Sequence, residues 1–461
     1  MEYELTNEQK EILVKVKESK NKGPIGVNAI AGSGKTAILL ALVDYIKPKK
    51  CFYTAFNRKL VEESREKFST NVECKTFHAM AYRYVQPKLG VEPFTYLCVK
   101  EPLNYQSKAK IIKGMDAFFI SDSTDMQVFL ESIIEDERLI PIIIMYIEKM
   151  VNEEIPMTFN FMLKYLHLLL NDNLIEIKYD MVLIDECQDV SMVTLEILKL
   201  LTSDYKVLVG DPHQNIYSSF MNTVNAFRVL DMPILGLTKS FRCSEAISQR
   251  IENYGITNLD KDFMFKGTDT PETDGKLAYI TATNAQIILR IIKLHESNTG
   301  YVLTRPLKDI FACALALVTA ASGKRVMHKQ YKFLDKEYTN YTMSGKKGFY
   351  SYLNKKTKDE EIKNATGLLM KLKERDINIF EVLAKAKTMK KDRNVLVSTA
   401  YSCKGLGFET VHIENDLNGA VKDALKAKKE ECMTEANYTN LKLAYVGASR
   451  CKINLINCDY L

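Results

Sequence analysis

Short apolar runs rich in β-branched residues recur along the chain, each followed by a stretch of helical periodicity. They are IGVNAI (25–30), CFYTAF (51–56), MVLID (181–185), KVLVG (206–210), YVLT (301–304), NVLVST (394–399) and INLIN (453–457). A strand apolar on both faces belongs in a parallel sheet covered by helices on either side. The runs fall into two clusters and predict two α/β layers. Between the second and third runs, about 85–178, helical periodicity dominates, as in FMLKYLHLLL. A second interruption, YTMSGKKGFYSYLNKKTKDEE, is lysine-rich and punctuated by turn residues. Both read as insertions into an α/β core.

Length and composition narrow the class. At 461 residues the chain exceeds what one hydrophobic core supports, so two or more domains are expected. No run of 18 or more apolar residues occurs, which argues against a membrane span. The opening MEYELTNEQKEIL lacks the features of a signal peptide, and an intracellular protein is expected. Ten scattered cysteines without a C-x-x-C pair are expected to be reduced and mostly buried, with no structural metal. Lys-, Asn- and Ile-rich usage without Trp suggests an AT-rich genome, such as that of a virus or bacterium.

The net charge of +6 is mild, but residues 331–393 hold 16 Lys and Arg against 9 Asp and Glu, a local +7. A solvated helix surface and a phosphate-backbone contact both fit that excess. Charge alone leaves the two open.

The chemistry begins at NAIAGSGKT (28–36), between an apolar strand and the helical AILLALVDYI. That context fits a phosphate-binding loop. Ala31, Gly32, Ser33 and Gly34 would turn backbone N–H groups around phosphate oxygens at a helix N-terminus. Lys35 would reach the β- and γ-phosphates, and the Thr36 hydroxyl would ligate Mg²⁺. Ala29 stands where the usual pattern has its first glycine. VLIDECQD (182–189) supplies an apolar strand ending in adjacent carboxylates. Asp185 would hold the metal, and Glu186 would orient and deprotonate water. In LVGDPHQNIYSSF (208–220), Gln214 is placed to sense the γ-phosphate. A nucleoside triphosphatase using ATP and Mg²⁺ is the expectation.

In order, LTNEQKEIL (5–13), AGSGKT (31–36), TAFNRK (54–59), KTFHAMAYRYV (75–85), IDECQD (184–189), GDPHQNIY (210–217), LTKSFR (237–242), VLTRP (302–306), STAYSCKGLGFETV (398–411) and LAYVGASR (443–450) span nearly the whole chain. This series resembles the UvrD/Rep-type superfamily 1 DNA helicases, above all the F-box DNA helicase branch without its F-box. IPMTFNFMLKYLHLL (155–169) also resembles the matching segment of that branch.

The resemblance implies an α/β fold of two RecA-like parallel-sheet domains with ATP in the cleft between them, each domain carrying an inserted, mainly helical subdomain. The expected division is domain 1A at 1–84 and 179–236, insertion 1B at 85–178, domain 2A at 237–330 and 394–461, and a small basic insertion 2B at 331–393. Gln9 would read adenine, Phe241 would stack on it, and Gly405 would lie by the nucleotide. Arg242 and Arg450 match the family's arginine fingers, which stabilise charge on the transferring phosphoryl. Single-stranded DNA would run over Phe56, Asn57, Arg58, Thr76, His78, Tyr217 and Phe220 of the first domain and Arg305 and Lys404 of the second. Core packing is the competing reading for Phe56 and Phe220.

Departures from the family pattern are Ala37 for an arginine, Tyr401 for a histidine, Gly407 for a glutamate, and an extra residue before Phe220. The implied activity is a 3′→5′ ATP-dependent DNA helicase in replication, recombination or repair. Expected partners are single-stranded DNA and single/double-strand junctions, with single-strand-binding or recombinase proteins as further candidates. A monomer associated with DNA and not with membrane is expected, in the cytoplasm of a bacterial or virus-infected cell, or in the nucleus of a eukaryote. A translocase that strips proteins from DNA, an ATP-gated scaffold and an RNA helicase are the alternatives.

Overall fold

The computed structural model describes residues 4–55, 58–217 and 223–461. Two compact units are present: Met1–Ile30 with Gly34–Leu237, and Ala31–Ser33 with Thr238–Leu461.

The first unit is built on a six-stranded sheet. Its strands are β1 (Pro24–Ala29), β2 (Cys51–Ala55), β3 (Val72–Cys74), β4 (Lys178–Asp185), β5 (Thr202–Gly210) and β6 (Ile234–Leu237), in spatial order β3-β2-β4-β5-β1-β6. Every pairing is parallel. Alternate residues of each strand enter two different cores, as the pleat requires. Tyr53, Leu183 and Val207 pack with Ile12, Leu39 and Leu42 on one face. Phe52, Val182, Ile184 and Leu208 face the other way. There they meet the helices Tyr105–Ile120, Met126–Ile133, Ile140–Val151 and Phe159–Asn171. The first insertion is therefore welded to the sheet by a continuous apolar core. Side chains at Asn104, Asp125 and Thr158 cap three of these helices by accepting from the first-turn amides of Ser107, Val128 and Phe161.

A buried cation stitches two insertion helices together. Lys164, only 1% exposed, donates to Ser121 O at 3.0 Å and to Ser123 O, at the C-terminal end of Tyr105–Ile120. Carbonyls at a helix C-terminus favour a cation, while burial pulls the ammonium down to about 8.

The second unit opens with β7 (Lys239–Ser244) paired in parallel with β8 (Lys266–Thr268). A five-stranded parallel sheet follows, from β9 (Leu277–Thr281), β10 (Val302–Leu303), β11 (Val395–Thr399), β12 (Phe408–Ile413) and β13 (Cys451–Ile456), ordered β10-β11-β9-β12-β13. The two expected parallel α/β layers are thus present. The lysine-rich stretch is helical, comprising Phe333–Met343, Phe349–Lys356, Glu360–Glu374 and Ile379–Thr388. Leu334, Leu353, Leu369 and Leu372 share one core with Ile291 and Phe311 of the helices Asn284–Glu296 and Leu307–Ala321. Lys356 pairs with Glu337 at 2.7 Å and Lys363 with Glu360 at 2.7 Å within the stretch, while Arg375 reaches Glu296 outside it at 2.9 Å. All ten cysteines are free thiols; Cys432 is exposed and Cys98 half-buried, while the other eight are buried.

Candidate phosphate site and adjoining groove

β1 ends at Ala29, and the helix Lys35–Ile46 starts one loop later. Gly34 caps that helix with φ 84°, in the left-handed region that favours glycine. Helix amides and dipole therefore point at the loop. Inside it, the Ser33 hydroxyl is buried without a hydrogen-bond partner among the described residues. An orphaned buried donor in a loop of this type fits an oxygen-rich ligand. Ala31–Ser33 pack with the second unit, where Ala31 N donates to Tyr445 OH at 3.1 Å and Ser240 Oγ donates to Ala31 O at 2.9 Å. A Cβ on Gly32 would come within 2.7 Å of Ser240 Oγ and Arg242 Cβ, so close approach as well as φ 79° requires glycine there.

The acidic centre lies at the C-terminal tip of β4, two strands from β1 in the sheet. Asp185 is buried, and Tyr53 OH donates to its Oδ2 at 3.1 Å. Burial, then the neighbouring Glu186 charge, lifts the Asp185 carboxyl to about 6, with Lys35 opposing. A buried carboxylate in that condition is stabilised by a cation. The donor set of the Thr36 hydroxyl and the Asp185 carboxylate suits Mg²⁺, a hard ion that takes oxygen ligands. Glu186 adopts φ 54°, rare for a residue with a Cβ, and this turn sends its carboxylate back toward the loop. Its Oε1 lies 2.9 Å from Lys35 Nζ.

Gln188 is the residue that sequence reasoning passed over. Its Nε2 donates to Glu186 Oε2 at 2.5 Å, and its Oε1 accepts from Asp211 N at 3.0 Å. Gln214 Nε2 donates to Asp211 Oδ2 at 2.8 Å. Gln188 thereby links the γ-phosphate sensor position to the candidate base. Gly210 leaves room for it, because a Cβ there would collide with Gln188 Oε1. The only sequence signal was a glutamine two positions after a glutamate.

In the second unit, Arg242 Nη1 donates to Ser449 O at 3.1 Å and Nη2 to Gly405 O at 3.5 Å. Arg450 Nε donates to Val446 O at 2.9 Å, and Nη2 to Ser449 Oγ at 2.9 Å. Burial and the nearby Arg450 pull the Arg242 guanidinium down to about 10. Two neighbouring guanidiniums in a buried setting suit an anion. Gly407 admits this arrangement, since a Cβ would lie 3.0 Å from Arg242 Nε. Phe241 is exposed, with Lys239 Nζ 5.8 Å from its ring centroid.

Other candidates are placed less simply. Gln9 is buried, and its Oε1 accepts from Thr6 N at 3.0 Å in a capping box of the helix Asn7–Glu18. Its carboxamide thus has a structural duty at that helix. Phe56, Asn57 and Phe220 lie outside the described residues. Tyr217 is half-buried beyond Gln214, Arg305 is exposed after β10, and Lys404 is half-buried beside Gly405.

Arg58, Thr76 and His78 come together in the first unit, lining a groove of about 940 Å³. It runs over the C-terminal ends of β2 and β4, beneath the helices Arg58–Arg65, Phe77–Val85 and Phe159–Asn171. Ligands of open parallel sheets bind at such strand ends. The Arg58 side chain is 86% exposed and 2.7 Å from Glu62. Thr76 caps its helix by accepting from Ala79 N at 3.2 Å. His78 Nε2 sits 3.4 Å from Asn160 Oδ1, and burial lowers the imidazole pKa, favouring the neutral ring. Phe159, which the sequence reading quoted without assigning, is 57% exposed in the same groove.

Residues 9–220 match the profile of the AAA domain family. The chain is 24% identical over 473 residues to "F-box DNA helicase 1" of Gallus gallus, covering 90% of this chain and 45% of that protein. Against "F-box DNA helicase protein 1" of Schizosaccharomyces pombe the identity is 25%, covering 89% of this chain and 53% of the relative. A "Probable DNA helicase II homolog" of Rickettsia felis is 27% identical over 42% of this chain and 36% of its own length. The chain spans about half the length of the F-box relatives. Among the described residues no helix is long and apolar enough to cross a membrane. The ordered motifs, the two parallel sheets and alignments along nine-tenths of its length make the chain similar to these F-box DNA helicases.

Proposed function

We propose that the protein is an ATP-driven motor that moves 3′→5′ along single-stranded DNA and unwinds duplex ahead of it. The observation that carries this reading is the convergence of Lys35, Asp185, Glu186 and, through Gln188, Gln214 at the tips of adjoining strands. That set contains a phosphate-binding cation, a metal-binding carboxylate, a base and a sensor, which is what phosphoryl transfer to water needs.

Lys35 exchanges Glu186 for the β/γ-phosphate oxygens as the nucleotide enters. Glu186, released from the lysine but still held by Gln188, then accepts the proton of the attacking water. Thr36 and Asp185 would hold Mg²⁺, which would offset phosphate charge. Gln214 registers the γ-phosphate and passes its presence to Glu186 through Asp211 and Gln188. Arg242 and Arg450 stabilise charge on the transferring phosphoryl. Phe241 stacks on the base, and Gly405 lies by the nucleotide. Strand DNA lies in the groove at Arg58, Thr76 and His78, and its path continues over Tyr217, Arg305 and Lys404. The division into domains 1A, 1B, 2A and 2B at the boundaries given above belongs to the same proposal.

The test combines magnesium-dependent ATPase assays on poly-dT and poly-U with displacement assays on 3′- and 5′-tailed duplexes. Stimulation by poly-dT and displacement from the 3′ tail are expected. Turnover equal to that of Lys35→Ala would sink the motor, and preference for poly-U or for the 5′ tail would sink its substrate or direction.

A further inference from the structure

Beside the groove lies a smaller pocket of about 230 Å³, also wholly within the first unit. It shares Asp116, Phe159 and Asn160 with the groove, and its remaining wall includes Phe94, Phe119 and Thr158. The pocket is thus a side chamber opening from the proposed strand path. Its size suits one planar heteroaromatic ring, and Phe159, at the junction, offers an exposed aromatic face. Stacking on such a face is the sequence-tolerant way proteins hold bases.

Asp116 makes the chamber chemically selective. Among the described residues its hydrogen-bond partner is Asn160, whose Nδ2 donates to Oδ1 at a long 3.5 Å. Asn160 is itself oriented by His78, 3.4 Å from its Oδ1. Its amide therefore points its nitrogen toward the carboxylate. A half-buried carboxylate with one weak donor has unused acceptor capacity, and it gains from any further N–H group. Burial raises the Asp116 pKa, with Asn160 opposing, in keeping with an incompletely solvated carboxyl.

We propose that this chamber takes one unpaired nucleobase from the bound strand, with Asp116 accepting from an exocyclic amine. Cytosine N4 presents two such hydrogens, whereas uracil and thymine present a carbonyl oxygen at the same position. An oxygen facing the carboxylate is repelled. The strand is therefore gripped more tightly where it carries amino bases than where it carries keto pyrimidines. This rests on the groove being the path of the strand.

Equilibrium binding without nucleotide, by fluorescence anisotropy, compares oligo-dC with oligo-dU of equal length. Their bases differ at the amine and ring nitrogen but share size and weak self-stacking. The wild-type protein is expected to bind oligo-dC about tenfold more tightly, the scale of one specific base contact. Asp116→Asn is expected to shrink that ratio toward one, while Phe159→Ala weakens both oligomers alike. Equal wild-type affinities, or a ratio that Asp116→Asn leaves intact in a protein of unchanged melting temperature, overturns the proposal. Arg58→Ala separates the two layers of argument. If it weakens both oligomers while their affinities stay equal, the path stands and the base chamber falls. If it alters neither, the path itself is wrong.

Discussion

Lys35 Nζ lies 2.9 Å from Glu186 Oε1, with both side chains largely buried. The cation and the base assigned in the proposed reaction thus form an ion pair with each other. In the proposed reaction that pairing is exchanged, and Glu186 is released once Lys35 meets another anion.

Removing the charge of the base should therefore have two opposite effects. Glu186→Gln is expected to lower kcat by at least about 100-fold through loss of general-base action. The same variant should bind a non-hydrolysable ATP analogue more tightly than wild type, because Lys35 loses its internal competitor. Steady-state kinetics together with an equilibrium titration measure both, and weaker analogue binding would contradict the exchange.

Asp185 adds a pH signature. Its folded pKa, about 6, lies above the ordinary aspartate value of 3.8. The folded state therefore holds a proton that the unfolded chain has lost across that interval, and stability falls as pH rises through it. The contribution is fully present below about pH 4 and gone above about pH 6. Without magnesium, Asp185→Asn should exceed wild type in stability at pH 7.5, by a gap on the order of 2–3 kcal/mol. The gap should close at pH 4, as read from urea denaturation at the two pH values.

Gly210 and Gln188 give a second route to the same centre. Gly210→Ala drives a methyl group into Gln188 Oε1 and breaks its contact with Asp211 N. Gln188→Ala removes the donor that orients Glu186. Both variants are expected to lose about tenfold or more in kcat, the scale of a displaced catalytic group. Analogue affinity should change little. A normal kcat in Gln188→Ala would remove the glutamine from the chain of contacts.

Arg58 tests the groove through salt. It is exposed, and among the described residues it pairs with Glu62 in a surface contact, which contributes little. If it contacts a strand phosphate, Arg58→Ala should reduce the slope of log K against log salt by about 0.7 for single-stranded DNA. An unchanged slope on oligo-dT would place the phosphate elsewhere.

How far the sequence could be read depended on how local each feature is. The runs at β1, β2, β4, β5 and β11 were legible because both faces of each strand are buried, which leaves an unbroken apolar signal. The three-residue β3 and the exposed edge strand β6 were missed. So were β9 and β12, whose burial is patchy. Glu73 and Thr410 show why, being polar positions inside pairings that the sheet nonetheless completes. The lysine-rich stretch looked like turns because Gly345 and Gly348 interrupt it, yet both lie between helices and in the left-handed region.

By itself the sequence determined the parallel α/β class, the glycine-rich strand–loop–helix, and the paired carboxylates, because each is written in adjacent residues whose chemistry and spacing are sufficient. Tertiary structure alone decided that Gln188 would bridge to Asp211, and that Asp116, Asn160 and His78 would meet in one groove. Those meetings depend on strand order and helix packing over tens of residues. Parallel pairing brings distant strand ends side by side, and no local pattern of residues states which ends will be neighbours.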